Sequence, residues 1–413
     1  MTTGCRRLEG GVVGFQGSGA GTPIEMGRGL AVSIPKELSG IKNCGDKNDK
    51  TQKSGIRGKR GESGNKGLSA RGKDAPYSKK VKKHETQNEL SSQEFQERMS
   101  EIQKELVHEL LSQNGIAKND VCAVGVHGPP DYCWNSANLA AQTGLNVVDE
   151  FAGMDIAVSG QGSPLIPLPA WVLLHSPTRH RLVVDIGRQS RLMFLPSSNH
   201  ATKNQIQYHR VGPGGVLIDL LVTQLTDGTQ TFDDGGRLTV QGQLIPELFE
   251  TWSSCFSISD PDVLLSQGLR SSDSKNWSLR DILCTAVHCI AGQMVAQIKE
   301  KYAPLLSEME IFVTGGCRHH GLLMKQIIQE LGLGKLPSLE KIRFDDETFE
   351  AMCVAVLAFL SVNQIPGNLP HLTGAETSRV LGRFTPGSPQ NWARLLQIMS
   401  EIKPVVQTLR NAM

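Results

Sequence analysis

The sequence lacks long apolar runs, and only 5% of its 413 residues are aromatic. No run approaches the roughly 20 apolar residues that a helix needs to cross a bilayer. The first residues, Met-Thr-Thr-Gly-Cys-Arg-Arg, are not followed by a hydrophobic stretch, so we expect no secretory signal. The sequence therefore predicts a protein whose partners do not include a membrane.

The nine cysteines lack the close spacing of metal ligands, so they predict no metal site. Cys122, Cys284, Cys289 and Cys353 lie within apolar segments, where a free thiol behaves as a small core side chain. Free thiols are typical of a reducing compartment. We therefore expect a cytoplasmic protein.

Large apolar residues are scarce between positions 42 and 83, where lysine and arginine recur. Such a segment cannot bury enough surface to offset the entropy of ordering, so we expect it to be disordered. Its charge favours nucleic acid, but Tyr77 is its only aromatic residue for stacking on bases. A solvated linker is therefore the preferred interpretation, and nucleic-acid binding is the lower-ranked alternative.

From residue 91 onwards, apolar patterns of helical and strand period alternate along the chain. Helices are predicted at residues 91–114, 216–226, 243–255, 278–298 and 347–362. Strands are predicted at residues 121–126, 146–148, 181–186, 192–195 and 311–314. This alternation predicts an α/β fold, in which ligands bind beyond the carboxyl ends of strands.

The most distinctive stretch is a polar run ending at Arg210, followed by Gly-Pro-Gly-Gly at positions 212–215 and an apolar helical pattern. Glycine lets the backbone approach a ligand, and the first amides of the following helix favour an anion. An ordinary surface turn is the alternative. Residues 14–23 are also rich in glycine, but they lack the Gly-Lys-Ser/Thr ending of a P-loop, so we expect irregular chain there.

A set of short motifs, in order from about residue 92 to 386, resembles the anhydro-N-acetylmuramic acid kinase family. None of them is specific alone, but the ordered set is. The principal matches are Val124-Gly125-Val126-His127-Gly128, Asp155-Ile156-Ala157-Val158-Ser159-Gly160-Gln161-Gly162-Ser163-Pro164-Leu165, Gly212-Pro213-Gly214, Val313-Thr314-Gly315-Gly316 and Pro366-Gly367-Asn368-Leu369-Pro370.

The resemblance implies a two-lobed actin/hexokinase-like (ASKHA) sugar-kinase fold. It implies a protein that binds ATP with Mg²⁺ and opens a 1,6-anhydro amino sugar while phosphorylating it. The expected partners are therefore a nucleotide and a small sugar. A homodimer is an open alternative to a monomer.

The same resemblance implies roles for individual residues. The sugar side comprises His127, Asp155 and Gly160-Gln161-Gly162. The phosphate side comprises Asp185, Gly187 and Gly212-Pro213-Gly214, and the adenosine side is Gly315-Gly316. Two physical alternatives stay open, in which Asp155 caps a helix or turn and His127 is a hydrogen-bonded core residue.

The chain departs from the family at its catalytic loops. Where the family has D-T-G-P-G-N, with the aspartate as the base that activates water, this chain has Arg210 in the place of the aspartate. Arginine stays protonated and cannot accept that proton. Losing a general base commonly lowers a rate by about 10²–10⁴-fold. Glu150 and Asp185 are the candidates to replace it.

Other family motifs are also altered. The phosphate loop N-I-G-G-I-A-N is Asp185-Ile186-Gly187-Arg188-Gln189-Ser190-Arg191, and the asparagine of G-G-G-x-x-N is His320. The first phosphate loop, G-x-x-S-G-T-S-x-D-G, has only residues 14–23 as its counterpart, without an aspartate. The N-terminal lobe is therefore expected to be incomplete.

These observations divide the chain into five predicted parts. Residues 1–40 are an irregular remnant of the N-terminal lobe, and residues 41–90 are a basic disordered linker. Residues 91–195 form the N-terminal lobe, residues 196–390 the C-terminal nucleotide-binding lobe, and residues 391–413 a C-terminal helix. The expected function is a weakened ATP-dependent amino-sugar kinase, with a catalytically inactive pseudokinase as the alternative.

Overall fold

The computed structural model describes residues 11–16, 30–33, 92–127, 135–198, 203–256, 260–275, 277–342, 344–346 and 348–401. The strands are β1 Gly11–Gln16, β2 Leu30–Ser33, β3 Val121–His127, β4 Val147–Asp149, β5 His180–Ile186, β6 Gln189–Leu195, β7 Gln207–Pro213, β8 Met309–Thr314 and β9 Arg383–Thr385. The helices are α1 Ser92–Gln113, α2 Ser136–Thr143, α3 Phe151–Ile156, α4 Pro167–Leu174, α5 Gly215–Leu225, α6 Pro246–Cys255, α7 Pro261–Lys275, α8 Leu279–Tyr302, α9 Gly321–Glu330, α10 Phe349–Val362, α11 Pro370–Thr373 and α12 Pro389–Glu401.

The strands form two sheets. The first has the order β2-β1-β3-β4-β9, in which β3 and β4 are parallel and the other pairs are antiparallel. The second has the order β7-β6-β5-β8, in which β5 and β8 are parallel and β6 is antiparallel to both of its neighbours. Helices pack against both sheets, so the predicted α/β fold is confirmed.

The sheet topology corrects the predicted lobe boundaries. Strands β5 and β6, which we predicted within the N-terminal lobe at residues 91–195, pair with β7 and β8 of the second sheet. Strand β9, predicted within residues 196–390, instead pairs with β4 of the first sheet. These pairings join segments far apart in sequence, and apolar periodicity does not reveal which strands become neighbours.

The N-terminal residues also differ from the prediction of irregular chain. Strand β1 pairs with both β2 and β3, and Val12 lies opposite Val126. A short strand of this kind is stabilised by pairing with its neighbour rather than by local propensity, which is why its sequence signal is weak. The predicted disordered linker at residues 41–90 and the end of the predicted C-terminal helix, residues 402–413, lie outside the described residues.

Helix α10 forms a layer between the two sheets. One side of it, including Cys353 and Val356, packs with Val183 of the second sheet. Its other side, including Ala358, packs with Cys122 of the first sheet. A helix that is apolar on all faces must be buried on all sides, and α10 is buried because it packs against both sheets. Its first turn therefore lies where the two sheets approach each other.

Helix α8 is the central helix of the second half of the chain. Its N-terminus is capped as the sequence predicts, because the Ser278 side chain accepts a hydrogen bond from the Asp281 amide at 3.1 Å. In the part of the chain that the structure describes, one helical stretch, Leu279–Leu305, is long and apolar enough to cross a membrane. However, 67% of the most apolar 18-residue segment of this stretch is buried inside the protein, as in a core helix.

Candidate active site

Two predicted phosphate-side segments, the turn between β5 and β6 and the turn between β7 and α5, lie against each other. The Gly215 amide donates a hydrogen bond to the Gly187 carbonyl at 2.7 Å, and the Gly214 amide donates to the Arg188 carbonyl at 2.8 Å. A Cβ atom on Gly214 would lie 2.3 Å from the Gly187 oxygen, so only glycine fits this approach.

The predicted adenosine-side turn joins the same edge of the second sheet. Gly315 follows β8 with a φ of 90°, and a Cβ atom there would lie 2.6 Å from the Ile186 carbonyl carbon. A 3₁₀ helix, Gly316–His319, follows directly. The three segments that sequence reasoning assigned to one nucleotide are therefore adjacent in the structure.

The hydrogen bonds of the glycine turn change one prediction. Gly212 and Pro213 end strand β7, so they belong to the sheet rather than to a free surface turn. We expected the first amides of the following helix to be available to an anion, but the Gly215 amide already donates to the Gly187 carbonyl, as the Gly214 amide before it does to the Arg188 carbonyl. In this arrangement, a phosphate group would have to rely on other donors at this edge.

Charged side chains form a row across the second sheet at this edge. Arg210 of β7 lies opposite Arg191 of β6, which lies opposite Asp185 of β5. Residues opposite each other on neighbouring strands project from the same face. Two strand positions before Asp185, Val183 on that face packs in the same cluster as Phe349 of α10, so the row faces the helix between the sheets.

Arg210 is exposed and is oriented by a neighbouring side chain. Its Nε and Nη2 atoms donate to Gln189 Oε1 at 3.2 and 2.6 Å. At the position where the resemblance implies a catalytic aspartate, the side chain is therefore a cation on the inward-facing side of the sheet.

Arg191 joins two carboxylates from different elements. Its Nη1 atom lies 3.5 Å from Asp185 Oδ2 and 3.5 Å from Glu350 Oε1, which is on the first turn of α10. Burial acts to lower the pKa of Arg191, but these carboxylates, together with Tyr208, outweigh it and raise that pKa. Asp185 is only 8% exposed and is engaged in this ion pair, so it is poorly placed to act as a base.

Asp155 is fully buried and supports the sugar-side loop from within. Its Oδ2 atom accepts from the Gly162 amide at 2.8 Å, and its Oδ1 atom accepts from Asn368 at 2.7 Å and from Thr373 at 2.8 Å. The Gln161 amide donates to the Thr373 carbonyl at 2.9 Å. These contacts favour the alternative in which Asp155 braces the turn rather than touching a sugar.

His127 and Glu150 lie near each other at the carboxyl ends of β3 and β4. Burial lowers the pKa of His127, and the Glu150 carboxylate partly opposes that shift. The His127 ring packs edge-on against Phe151 with a centroid distance of 6.2 Å, consistent with the core-residue alternative. Glu150 is exposed and has a φ of 53°, a left-handed conformation that is uncommon for residues other than glycine and concentrates at functional sites.

Sequence reasoning missed two buried carboxylates beside the adenosine-side turn. Asp346 Oδ2 lies 3.3 Å from Arg318 Nε, and Asp233 Oδ2 lies 3.5 Å from His320 Nε2. The sequence marked His320 only as a departure from the family. Neither aspartate belongs to a recognisable motif, so no local signal revealed these pairs.

The resemblance implies Mg²⁺, a cation that prefers oxygen ligands. Among the described residues, no three His, Cys, Asp or Glu side chains come together in a way that would hold a metal ion. Mg²⁺ commonly takes most of its ligands from substrate phosphates and water. An ion carried by a nucleotide would not require such a group of protein ligands.

Comparison with known proteins gives the family. The model of the anhydro-N-acetylmuramic acid kinase family matches residues 78–387. The anhydro-N-acetylmuramic acid kinase of Synechococcus elongatus is 30% identical over 260 residues, covering 60% of this chain and 68% of that protein. The enzyme of the same name from Nitrosomonas europaea is 30% identical over 303 residues, covering 68% of this chain and 80% of that protein.

The chain also has a weak likeness to solved structures. The activator of the 2-hydroxyisocaproyl-CoA dehydratase from Clostridium difficile, with bound ADPNP, is 12% identical and gives a TM-score of 0.35. The match covers 62% of this chain and 80% of that chain. The family match, by contrast, spans well over half of the chain. The chain therefore belongs to the anhydro-N-acetylmuramic acid kinase family.

Proposed function

We propose that this protein binds ATP at the edge of the second sheet and phosphorylates a 1,6-anhydro amino sugar with ring opening, at a reduced rate. The observation that carries the proposal is the convergence of three glycine turns, at Gly187, Gly214 and Gly315. Phosphoryl transfer depends mainly on positioning the nucleotide and the acceptor and on electrostatic stabilisation of the transferred phosphoryl group. A protein that performs it must therefore retain a rigid backbone around the nucleotide. The proposed location of this reaction is the cytoplasm.

Each segment has a separate task in this proposal. The turn at Gly315 and Gly316 lies against the adenosine, and the turn at Gly187 lies against the phosphates. The loop at Gly160-Gln161-Gly162, braced by Asp155, lies against the sugar. ATP, when bound with Mg²⁺, supplies the phosphoryl group, and the protein supplies orientation.

The reduced rate follows from the absence of a carboxylate at position 210. Of the two candidate replacements, Asp185 is buried and ion-paired with Arg191. Glu150 is exposed, lies near the predicted sugar-side His127, and is held in an uncommon backbone conformation. Glu150 is therefore the better-placed group to accept a proton from water.

The proposal is tested by ATP consumption with 1,6-anhydro-N-acetylmuramic acid as the acceptor. We expect slow turnover by the wild-type protein and a further loss of about 10²-fold or more in Glu150→Gln. Glu250→Gln changes an exposed carboxylate on α6, which packs with the core on the opposite face of the second sheet, and serves as the matched control. Absence of turnover by folded wild-type protein would contradict the kinase proposal.

A second candidate function is a pseudokinase that binds nucleotide or sugar without transfer. Two observations favour it, the cation at Arg210 and the engagement of the Gly214 and Gly215 amides within the loop. Thermal unfolding with and without ATP and Mg²⁺ separates the two functions. A rise in Tm without any turnover supports the pseudokinase, whereas turnover excludes it.

A further inference from the structure

The turn after β8 is held between two buried carboxylates that come from distant parts of the chain. Asp346 contacts Arg318 at 3.3 Å, and Asp233 contacts His320 at 3.5 Å. Arg318 and His320 are separated by one residue. A short segment beside the proposed nucleotide site is therefore fixed from two directions.

The pair of Arg318 and Asp346 is nearly removed from solvent, with side-chain exposures of 10% and 0%. Asp346 Oδ1 also accepts a hydrogen bond from the Leu339 amide at 3.1 Å. The segment before Leu339 is attached to β8, because the Val313 amide donates to the Pro337 carbonyl at 2.9 Å. Asp346 thus links Arg318 of the turn to the loop at Leu339. That loop is in turn bonded to β8, the strand that precedes the turn.

His320 provides the second attachment. Its Nδ1 atom accepts a hydrogen bond from the Leu323 amide at 3.3 Å, which caps α9. Nε2 therefore carries the proton in the neutral ring and donates to Thr239 Oγ1 at 3.2 Å. Thr239 Oγ1 in turn donates to Asp233 Oδ2 at 2.6 Å, so this side of the turn ends in a buried hydrogen-bond chain.

The backbone of the turn packs closely against the end of β5, so a shift of the turn would change the proposed nucleotide site. Gly315 approaches the end of β5 so closely that a Cβ atom would lie 2.7 Å from Asp185 Oδ1. Arg318 lies in the 3₁₀ helix that follows at Gly316–His319. If the Arg318 side chain loses its contact and moves, the backbone at Gly315 and Gly316 is therefore expected to move with it.

We propose that Arg318, through Asp346, is a positioning residue that sets nucleotide affinity by fixing the adenosine-side turn. The inference rests on the proposed function, since it requires that a nucleotide binds at this turn. Arg318 remains charged at all ordinary pH values and compensates a carboxylate that water does not reach. Its loss leaves that carboxylate uncompensated and frees one side of the turn.

The alternative is that the pair of Arg318 and Asp346 stabilises the fold without affecting binding. The chain offers a matched control in Arg181 and Glu310, an ion pair of 3.0 Å with side-chain exposures of 16% and 25%. This pair joins β5 and β8 near the ends of the two strands that lie away from the turn at Gly315. Both pairs contribute to the fold, but only one lies beside the proposed nucleotide site.

The experiment measures the Kd of the full-length protein for ATP and for ADP by titration calorimetry, with thermal unfolding of every variant. We expect Arg318→Ala to raise both Kd values by about 10- to 10²-fold, because the coupling between a binding site and a second site typically changes affinity by this amount. The factor should be the same for ATP and ADP, since the turn lies on the adenosine side. Arg318→Lys keeps the charge without the planar fork and should recover part of the affinity.

Two further variants distinguish a positioning role of the Arg318–Asp346 pair from a purely stabilising one. Asp346→Asn should weaken both nucleotides as Arg318→Ala does, whereas Arg181→Ala should lower Tm and leave both Kd values unchanged. Wild-type affinity in a folded Arg318→Ala or Asp346→Asn variant would overturn the inference alone. No binding of ATP or ADP by the wild-type protein would overturn the proposed function, and this inference with it.

Discussion

The regions proposed to face the sugar and the phosphates differ in which features of the family motifs they retain. On the sugar side, Asp155 retains its family identity, and its carboxylate is used entirely within the fold, bonded to Gly162, Asn368 and Thr373. On the phosphate side, the glycine framework is retained, but the side chains facing α10 are changed to a row that includes Arg191 and Arg210.

This difference indicates which residues are structural and which are chemical. A buried acceptor of three hydrogen bonds cannot be exchanged without leaving donors unsatisfied, so its retention requires no catalytic role. Side chains on the inward face of a sheet edge are not fixed in this way. Their exchange alters charge at the proposed reaction site while leaving the backbone arrangement intact.

The largest expected effect is on catalysis, and it comes from restoring the carboxylate at position 210. We expect Arg210→Asp to raise the turnover of 1,6-anhydro-N-acetylmuramic acid by about 10²–10⁴-fold, the usual contribution of a general base. Stability should change little, because the Arg210 side chain is exposed and bonded to one side chain, Gln189. The measurement is initial-rate ATP consumption at saturating sugar.

Arg210→Asn is the matched control, because it removes the cation without supplying a base. If the asparagine variant gains as much activity as Arg210→Asp, relief of positive charge rather than proton transfer limits the wild-type protein. If neither variant gains activity, the residue at position 210 does not limit the rate of turnover. The difference in charge between the two regions would then not explain a reduced rate.

The next effect is on stability and belongs to the sugar side. Asp155→Ala should lower the free energy of unfolding by about 3–5 kcal/mol, because it leaves buried donors without an acceptor, each at about 1–3 kcal/mol. Urea denaturation followed by circular dichroism measures it. Asp260→Ala, which removes an exposed aspartate that accepts from the Asp262 amide, should cost only about 1 kcal/mol.

A loss in Asp155→Ala no greater than that in Asp260→Ala would show that the buried hydrogen bonds do not brace the loop. The comparison also has a functional side. If Asp155→Asn folds normally but loses sugar binding, Asp155 contacts the sugar, and the bracing role argued from its burial is wrong.

The sequence predicted much of this arrangement because the relevant signals are local. A short apolar run followed by glycine marks the end of a strand, as at Gly187 and Gly315, and a serine four residues before Ile282 marks the start of α8. Sheet order gave no such signal. The pairing of β9 with β4 and the position of α10 between the sheets depend on contacts between distant segments, which apolar periodicity does not encode.

Partners of buried polar groups were unpredictable for the same reason. Asp155 and Asn368 are 213 residues apart, and Thr239 and His320 are 81 residues apart. A sequence shows that an aspartate is present, but the choice between a substrate ligand and an internal brace depends on burial. At Asp155 the structure favours the internal brace, because the carboxylate is removed from solvent.

A smaller effect on stability tests whether the phosphate-side changes are coupled. Asp185 and Arg191 occupy the places of the two family asparagines and form an ion pair of 3.5 Å. We expect Arg191→Asn alone to cost about 1–2 kcal/mol, less than a fully buried pair because Arg191 is 29% exposed. The double variant with Asp185→Asn should recover most of that loss.

A double-mutant cycle in urea, built from the two single variants and the double variant, measures this coupling. Additive losses would mean that the two substitutions are independent, and Glu350 rather than Asp185 would then be the main partner of Arg191. Glu350→Gln gives that comparison directly. It should have little effect, because its side chain is 59% exposed.

The smallest effect concerns pH and separates the two regions by their titration. The arginines of the phosphate-side row do not change charge at ordinary pH, whereas His127 on the sugar side does. Burial lowers the pKa of His127 in the folded protein below its ordinary value of 6.5. As pH falls below 6.5, the unfolded chain therefore binds a proton before the folded protein does, and the free energy of unfolding decreases.

His127→Gln removes this titration, so its stability should decline less steeply than that of the wild-type protein on the acid side of 6.5. Urea unfolding at a series of pH values measures both slopes. His209 and His288, whose pKa values are also lowered by burial, contribute equally to both proteins and cancel in the comparison. Identical slopes would mean that His127 is not held neutral by burial, and Glu150 would then stabilise the charged ring enough to offset the loss of water.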